Sequence, residues 1–515
     1  MSSSWDTRCS PTDAPVRLCD ALIVVPPPSP SDTNPPLGPA ILATAAARAG
    51  FHIDVLDLNI VLLKRFGNHV PLLGRTLGDH GKDRRGVAAA AQWLFAHTGL
   101  RDKPPLHLPD TADPVAGMHY PLSTVTAAVA AALSDREPWR AWLEHHLLAS
   151  CDRPPTMVGV SLMGPSQVFV GLLVLRVAKQ IWPETTTALG GSHVTLLREE
   201  MRSGGRLGKG ADVVLPGHCE DEFVAVLARL SPRRVRRPLL PERPADTPFE
   251  YLPSFSERQL RHYDRRWLTL PLQFTRGCSY GRCTFCTYPL VEPLITALAP
   301  TAARATVDAL VEAHGVRRFS LKDSLFTAPM LRAFAQELLR EPAAGIRWSA
   351  TTKANRALIS MAPLVAASGL ATVEIGVETI RPEGQRIFDK RADPVMLQEL
   401  ILALAEHGIT VVTNLIFGYP GEQERDAQAQ LAWFLRLRAA APAGRVDCSL
   451  NMLEMVRGAP MVARPPPGVE LRGVAPWAFS YAWNAPGWRR DFADVLRSVE
   501  QARQAAPPGP TEMSA

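Results

Sequence analysis

Short apolar runs alternate with amphipathic stretches in two blocks of this chain, and that rhythm restricts its fold more than any other feature. In the first block Ala21–Val25, His52–Leu58, Met157–Ser161, Thr185–Leu189 and Ala211–Leu215 read as strands, while Pro39–Gly50, Gln167–Ile181 and Glu220–Leu230 read as helices. In the second, strands are predicted at Leu270–Phe274, Arg318–Leu321, Ile346–Thr351, Thr372–Val377, Thr410–Phe417 and Asp447–Met452. Helical stretches such as Ala302–His314, Met330–Leu339 and Pro394–His407 fall between them. The implied class is α/β: a Rossmann-like N-terminal domain built on a parallel sheet, then a partial (β/α)6 barrel of the TIM type, then a small C-terminal region. The reactive end of such a barrel is at the C-termini of its strands.

At 515 residues the chain is too long for one ordinary core. Composition sets the expected boundaries: a flexible tail at 1–18 and the Rossmann-like domain at 19–232, with an Ala- and Leu-rich helical insertion over about residues 85–150. A Pro- and Arg-rich linker follows at 233–265, then the barrel at 266–455, a Trp- and Pro-bearing cap at 456–501 and a flexible tail at 502–515. The formal charge of +6, from 56 basic and 50 acidic residues, is a weak bias, and Arg233, Arg234, Arg236 and Arg237 lie among prolines rather than in a nucleic-acid stripe. No nucleic acid is expected as a partner. The opening residues lack a secretory layout, Ala21–Val25 stops at three prolines, and Arg176 and Lys179 interrupt Val168–Trp182. These features predict a cytoplasmic protein without a membrane span.

Eight cysteines in so long a chain, with no secretory layout, are expected to stay reduced. Cys9, Cys19, Cys151, Cys219 and Cys448 are scattered and read as small buried or tail residues, but residues 274–286, FTRGCSYGRCTFC, put Cys278, Cys283 and Cys286 in one loop behind a predicted strand. Gly277 and Gly281 tolerate the tight turns that convergence of three sulfurs requires. Three thiolates can hold three irons of a 4Fe–4S cube and leave the fourth open. Structural zinc wants four ligands, and here it would have to recruit a distant one such as Cys219 or His262.

The pattern RGC-x4-C-x-F-C resembles the cluster loop of radical S-adenosylmethionine (SAM) enzymes, in particular the branch with an N-terminal cobalamin-binding domain, although x3 is the commoner first spacing. The resemblance continues to about residue 455 through RFSLKDSLF (318–326, with Asp323), WSATTKAN (348–355), VEIGVET (373–379) and TNLIFGYPGE (413–422). It implies a 4Fe–4S cluster on the three cysteines, with SAM bound to the open iron and cleaved by an electron to a 5′-deoxyadenosyl radical that takes hydrogen from substrate. An external electron donor such as flavodoxin or ferredoxin is implied with it. Glu378 and its neighbour Thr379 are the implied SAM contacts, Gly418 with Pro420 and Gly421 shapes the backbone beside SAM, and Lys353 stands where a basic residue often occurs. Phe285 is implied to pack near the adenine or to shield the cluster, buried in either case. For Asp323 a loop or cap role is an equal alternative, and for Lys353 a solvated side chain is.

Residues 24–59, 158–175, LGGSHVT (189–195) and DVVLPGHCEDEF (212–223) resemble the cobalamin-binding domain of that branch. Gly190 and Gly191 end a predicted strand, where an open α/β sheet forms its ligand crevice, and the resemblance implies cobalamin there. A D-x-H-x-x-G run is absent, as it commonly is in this branch, and the usual G-E-G-E turn is Gly217-His218-Cys219-Glu220. A degenerate domain without cobalamin is the alternative, and His193 and His218 read either as corrin or substrate contacts or as ordinary surface groups. The implied reaction is cobalamin-dependent methylation of an unactivated carbon in a small-molecule or peptide substrate. Rearrangement, oxidation or epimerisation without methyl transfer is the alternative within the same chemistry. A zinc- or cluster-containing binding protein without turnover is the alternative outside it. Methylthio transfer is disfavoured, because Cys9, Cys19 and Cys151 do not fall in converging strand-end loops. Near the C-terminus, WNAPGWRRDF (483–492) reads as a substrate lid or a packing cap.

Overall fold

The computed structural model describes residues 19–27, 33–66, 138–164, 167–201, 210–231, 252–340, 345–472, 478 and 480–485. Five strands, β1 (Ala21–Val25), β2 (Ile53–Asp57), β3 (Met157–Ser161), β4 (Thr186–Gly190) and β5 (Val213–Leu215), form a parallel sheet in the order β2-β1-β3-β4-β5. Alternate residues of β1 enter different cores: Leu22 and Val24 pack with the helix Val168–Ile181, Ala21 and Ile23 with the helices Leu37–Arg48 and Glu220–Leu230. Burial on both faces is why these strands are continuously apolar. The strand order reverses between β1 and β3, so a crevice opens at their C-terminal ends. Gln167 spans it, donating to the carbonyl of Pro26 at 2.6 Å and accepting from the N–H of Met163 at 2.6 Å.

Next along the chain come β6 (Leu270–Leu272) and the short pair β7 (Thr275–Arg276) and β8 (Thr296–Ala297). With β9 (Arg318–Leu321), β10 (Arg347–Thr352), β11 (Leu370–Glu378), β12 (Thr410–Phe417) and β13 (Val446–Met452), β6 builds a six-stranded sheet whose neighbours follow chain order, every pairing parallel. Helices Pro300–His314, Ala328–Arg340, Ala357–Ala367, Pro394–Glu406 and Glu424–Ala440 connect the strands, giving the expected partial (β/α)6 barrel. Val373, Ile375 and Val377 of β11 lie in the core shared with those helices. By alternation, Thr372, Glu374, Gly376 and Glu378 face the lumen.

Three boundaries differ instructively from the sequence reading. The first barrel strand ends at Leu272 rather than Phe274, because the N–H of Phe274 turns to the carboxylate of Asp323 at 3.0 Å. The helix predicted from Ala302 starts at Pro300, whose missing N–H suits a first turn. Residues 252–265, the second half of the predicted linker, are packed: Phe255, Leu260 and Tyr263 join Ala40 and Ile60 in the barrel core, and Arg258 donates to Asp54 at 2.7 Å. The expected tails, the first half of the linker and most of the insertion lie outside the described residues; within the insertion, Pro138–Leu148 is helical.

After the barrel, β14 (Met455–Val456), β15 (Glu470–Arg472) and β16 (Ser480–Asn484) form a small antiparallel sheet. Trp483 is buried there with Phe388, Ile416, Tyr419, Met455 and Met461, which makes it a packing residue. The remainder of the predicted lid, from 486, is outside the described residues. Among the described residues no helix is long and apolar enough to cross a membrane.

Candidate cluster and cofactor site

The antiparallel pair β7 and β8 closes the base of a loop that holds Cys278, Cys283 and Cys286, all half-buried free thiols. Gly277, at φ +78°, comes so close to the backbone of Leu294 that an added Cβ would meet its carbonyl oxygen at 2.5 Å. Two buried carboxylates hold the loop from beneath. Asp323 accepts from the N–H groups of Phe274 and Thr275 and from the Thr275 hydroxyl. Glu292 accepts from the N–H of Gly277 at 2.9 Å, from Gln273 at 2.7 Å and from the hydroxyl of Ser324. Burial lifts Asp323 to a pKa of about 6. Burial works in the same direction on Glu292, but hydrogen bonds from His218, Ser324, Gly277 and Gln273 outweigh it and hold that carboxyl below its ordinary value. Burial also raises the thiols of Cys283 and Cys286, the latter to about 11. Metal loading therefore releases protons. Three thiols on one fixed loop fit a cube that offers each a separate iron. Among the described residues no group of three or more Cys, His, Asp or Glu side chains is arranged to hold a metal ion, the three thiols of this loop included.

Glu378 ends β11 with φ +61°, 7% exposed, and its Oε1 lies 2.9 Å from Nζ of Lys390. Burial opposes the charge on Lys390, yet Glu378 together with Cys283 and Cys286 raises its pKa above the ordinary lysine value. Gly376 makes the pair possible, since a Cβ there would stand 2.6 Å from both Glu378 Oε1 and Lys390 Nζ. Thr379 is fully buried, and its hydroxyl accepts from the N–H of Arg381 at 3.1 Å. Gly418 adopts φ +69° and donates its N–H to the buried Glu422. Lys353 sits 3.1 Å from the ring centre of Tyr280, and its pKa is lowered by burial first and by the nearby Lys390 second. Phe285, expected to be buried, is only half-buried, and it packs edge-on against Phe388 with centroids 5.2 Å apart.

Gly190 and Gly191 end β4 as predicted. A Cβ on Gly191 would lie 2.3 Å from the carbonyl oxygen of Leu162, so glycine is set there by close approach of the β3 and β4 ends. Beyond that approach the crevice is open: Met163 is 50% exposed, and nothing lies within 4 Å of where a Cβ would stand on Gly164 or Gly217. Glycines at the ends of β3, β4 and β5 leave room beside the crevice for a bulky ligand such as a corrin. His193 is buried, and the short helix it opens with, Ser192–Leu196, packs against Tyr288–Val291 just behind Cys286. The crevice therefore borders the cluster loop.

Cys283 lies within electrostatic reach of Cys278, Cys286, Glu378, Lys353 and Lys390 at one end of the barrel, and the helix after Gly191 packs against the helix after Cys286. Sequence reading missed Glu292, Lys390, Gln273 and Gly376. VEPL (291–294) and FDKRAD (388–393) carry no spacing signal, since their roles arise from contacts across the fold.

Residues 272–433 match the model of the radical SAM superfamily. The chain is 23% identical over 311 residues to an uncharacterized methyltransferase, PH0819, of Pyrococcus horikoshii, covering 55% of this chain and 64% of the relative. It is 22% identical over 293 residues to the anaerobic magnesium-protoporphyrin IX monomethyl ester cyclase of Rubrivivax gelatinosus, covering 52% of each. The chain thus spans between half and two thirds of these curated relatives. Among solved structures, TsrM from Kitasatospora setae, a radical SAM methyltransferase with cobalamin and a 4Fe–4S cluster bound, superposes with TM-score 0.58 at 15% identity, covering 94% of this chain and 91% of that one. The cobalamin-dependent SAM radical enzyme OxsB gives 0.56 at 10% identity over 91% and 65%. At such identities the likeness is one of fold.

Proposed function

We propose, from the premise that residues 272–433 are a radical SAM domain, that this chain binds a 4Fe–4S cluster on Cys278, Cys283 and Cys286 and methylates an unactivated carbon with the help of cobalamin. The observation that carries the reading is the cluster loop itself, clamped by Asp323 and Glu292 at the barrel mouth and bordered by the glycine-lined crevice of the N-terminal sheet. When bound, the cluster and SAM supply a carbon-centred radical, and cobalamin supplies a methyl carrier.

The chain's own residues hold and orient. Glu378 and Lys390 present a buried ion pair at the SAM end, and Gly418, at positive φ with its N–H held by Glu422, turns the backbone after β12. The lumen is polar: Ser349 donates to Ser320 at 3.2 Å, and Asn414 lies 3.5 Å from Glu374. Such groups fix the orientation of a small-molecule or peptide substrate. An external one-electron donor such as flavodoxin or ferredoxin and a cytoplasmic location belong to the same proposal.

The test is anaerobic reconstitution with iron and sulfide, followed by SAM and dithionite, with 5′-deoxyadenosine as the readout. Wild type is expected to form it, and Cys278→Ala, Cys283→Ala and Cys286→Ala to lose both iron and product. Zinc uptake in place of iron would overturn the reading. Cleavage without cobalamin uptake would retain the radical chemistry and remove methyl transfer.

A further inference from the structure

We infer that His218 is a positioning residue for the cluster loop, acting across the domain boundary through Glu292. The inference rests on the cluster-loop reading above and goes beyond it. His218 lies in the turn after β5, far from the cysteines in sequence, with Nε2 3.5 Å from Oε1 of Glu292 and Nδ1 4.0 Å from Oε1 of Glu220. Glu292 in turn accepts the N–H of Gly277, the residue immediately before Cys278. Gly277 has no room to shift toward Leu294, so a displaced Glu292 carries Gly277, and with it Cys278, out of place. A second strap lies beside the first: Arg276, the preceding residue of the loop, pairs with Glu220 at the start of the helix that follows the same turn. Two consecutive loop residues are thus tied to one turn of the other domain.

The identity of His218 matches this geometry. Glu292 and Glu220 face this turn from two elements. A third carboxylate in the turn would meet like charge at close range, although His218 itself is exposed to solvent. An imidazole instead brings Nε2 to 3.5 Å from Glu292, which takes its hydrogen bonds from Gln273, Gly277 and Ser324.

The full-length chain, reconstituted with iron and sulfide, tests this with His218→Ala, His218→Gln and an exposed control on the helix that follows the turn, Glu222→Ala. The readouts are the electron paramagnetic resonance spectrum and midpoint potential of the reduced cluster, beside iron content and circular dichroism. His218→Ala is expected to shift the spectrum and potential or to lose iron, while His218→Gln, which keeps an N–H donor at similar reach, returns to the wild-type signature, as does the control. A fully loaded His218→Ala protein with wild-type spectrum and potential would sink the inference and leave the cluster assignment standing. Equal loss in Ala and Gln would also sink it, because donation to Glu292 would then not be the cause. Failure of wild type itself to take up iron would instead remove the cluster reading.

Discussion

Lys390 reaches back from beyond the helix Pro382–Phe388 to place its ammonium 2.9 Å from the carboxylate of Glu378, both side chains about nine-tenths buried. The backbone is contorted to achieve this. Glu378, Asp389 and Arg391 are the three non-glycine residues with positive φ among the described residues, and two of them flank Lys390. Such conformations cost on the order of 1–3 kcal/mol each and concentrate at functional sites. The tight turn aims Lys390 inward, toward Cys283 and Cys286 as well as Glu378.

Removing one partner of this pair leaves the other as an uncompensated buried charge. Lys390→Met is therefore expected to destabilise the protein by about 3–5 kcal/mol, measured by denaturant unfolding. The double variant Lys390→Met/Glu378→Gln should recover most of that loss, because neither charge remains. It should not recover SAM binding, measured by equilibrium titration. Simple additivity of the two single variants would show that the side chains do not interact.

Gly376 supports the same pair sterically. Its backbone is unstrained, so only crowding argues against a larger residue. Gly376→Ala pushes a methyl against Glu378 and Lys390, and overpacking of this kind costs about 1–3 kcal/mol. A lowered melting temperature together with weakened SAM affinity is expected. An unchanged affinity would mean that the ion pair lies apart from the SAM site.

The barrel and the first sheet were legible because each strand and helix carries its own local signal: Arg318–Leu321 and Thr410–Phe417 match the predicted limits residue for residue. Cys278, Cys283 and Cys286 were legible because one short segment supplies them all. Glu292 and Lys390 were not, since an acid in VEPL and a lysine in FDKRAD look solvated until the fold buries them. The Pro- and Arg-rich composition of 233–265 likewise hid Phe255, Leu260 and Tyr263, whose burial ties the linker's second half to the barrel core. Contacts distant in sequence leave no periodicity behind them.

Glu422 links the barrel mouth to pH. Burial, aided by Asp426 and opposed by the N–H of Gly418, lifts its pKa from the ordinary 4.5 to about 8. Between those values the folded chain keeps a proton that the unfolded chain has lost. The stability contributed by the neutral acid is thus fully present below pH 4.5 and is lost as pH rises through 8, at most about 1.4 kcal/mol per pH unit. Glu422→Gln imitates the neutral form at every pH. The wild-type curve of unfolding free energy against pH should fall relative to the variant's across that window and run parallel to it outside. Parallel curves throughout would show that Glu422 titrates normally.

Gly191 and Gly217 offer a matched comparison in the N-terminal crevice. Both have positive φ, at +100° and +76°, so alanine is strained at either. Only Gly191 is also crowded: its Cβ would lie 2.3, 2.7 and 2.9 Å from backbone atoms of Leu162, whereas nothing stands within 4 Å at Gly217. Gly217→Ala should cost about 1–2 kcal/mol from the left-handed backbone alone. Gly191→Ala adds a clash that backbone cannot yield to, and it should cost clearly more by forcing the ends of β3 and β4 apart. Thermal unfolding measures the ranking, and the visible absorption of cobalamin supplied to the protein tests the proposed crevice. Absorption retained in Gly217→Ala and lost in Gly191→Ala, with iron content unchanged in both, is the expected pattern. Equal stability of the two variants would mean that β3 and β4 can separate without penalty, and that the glycines serve the turn rather than the crevice.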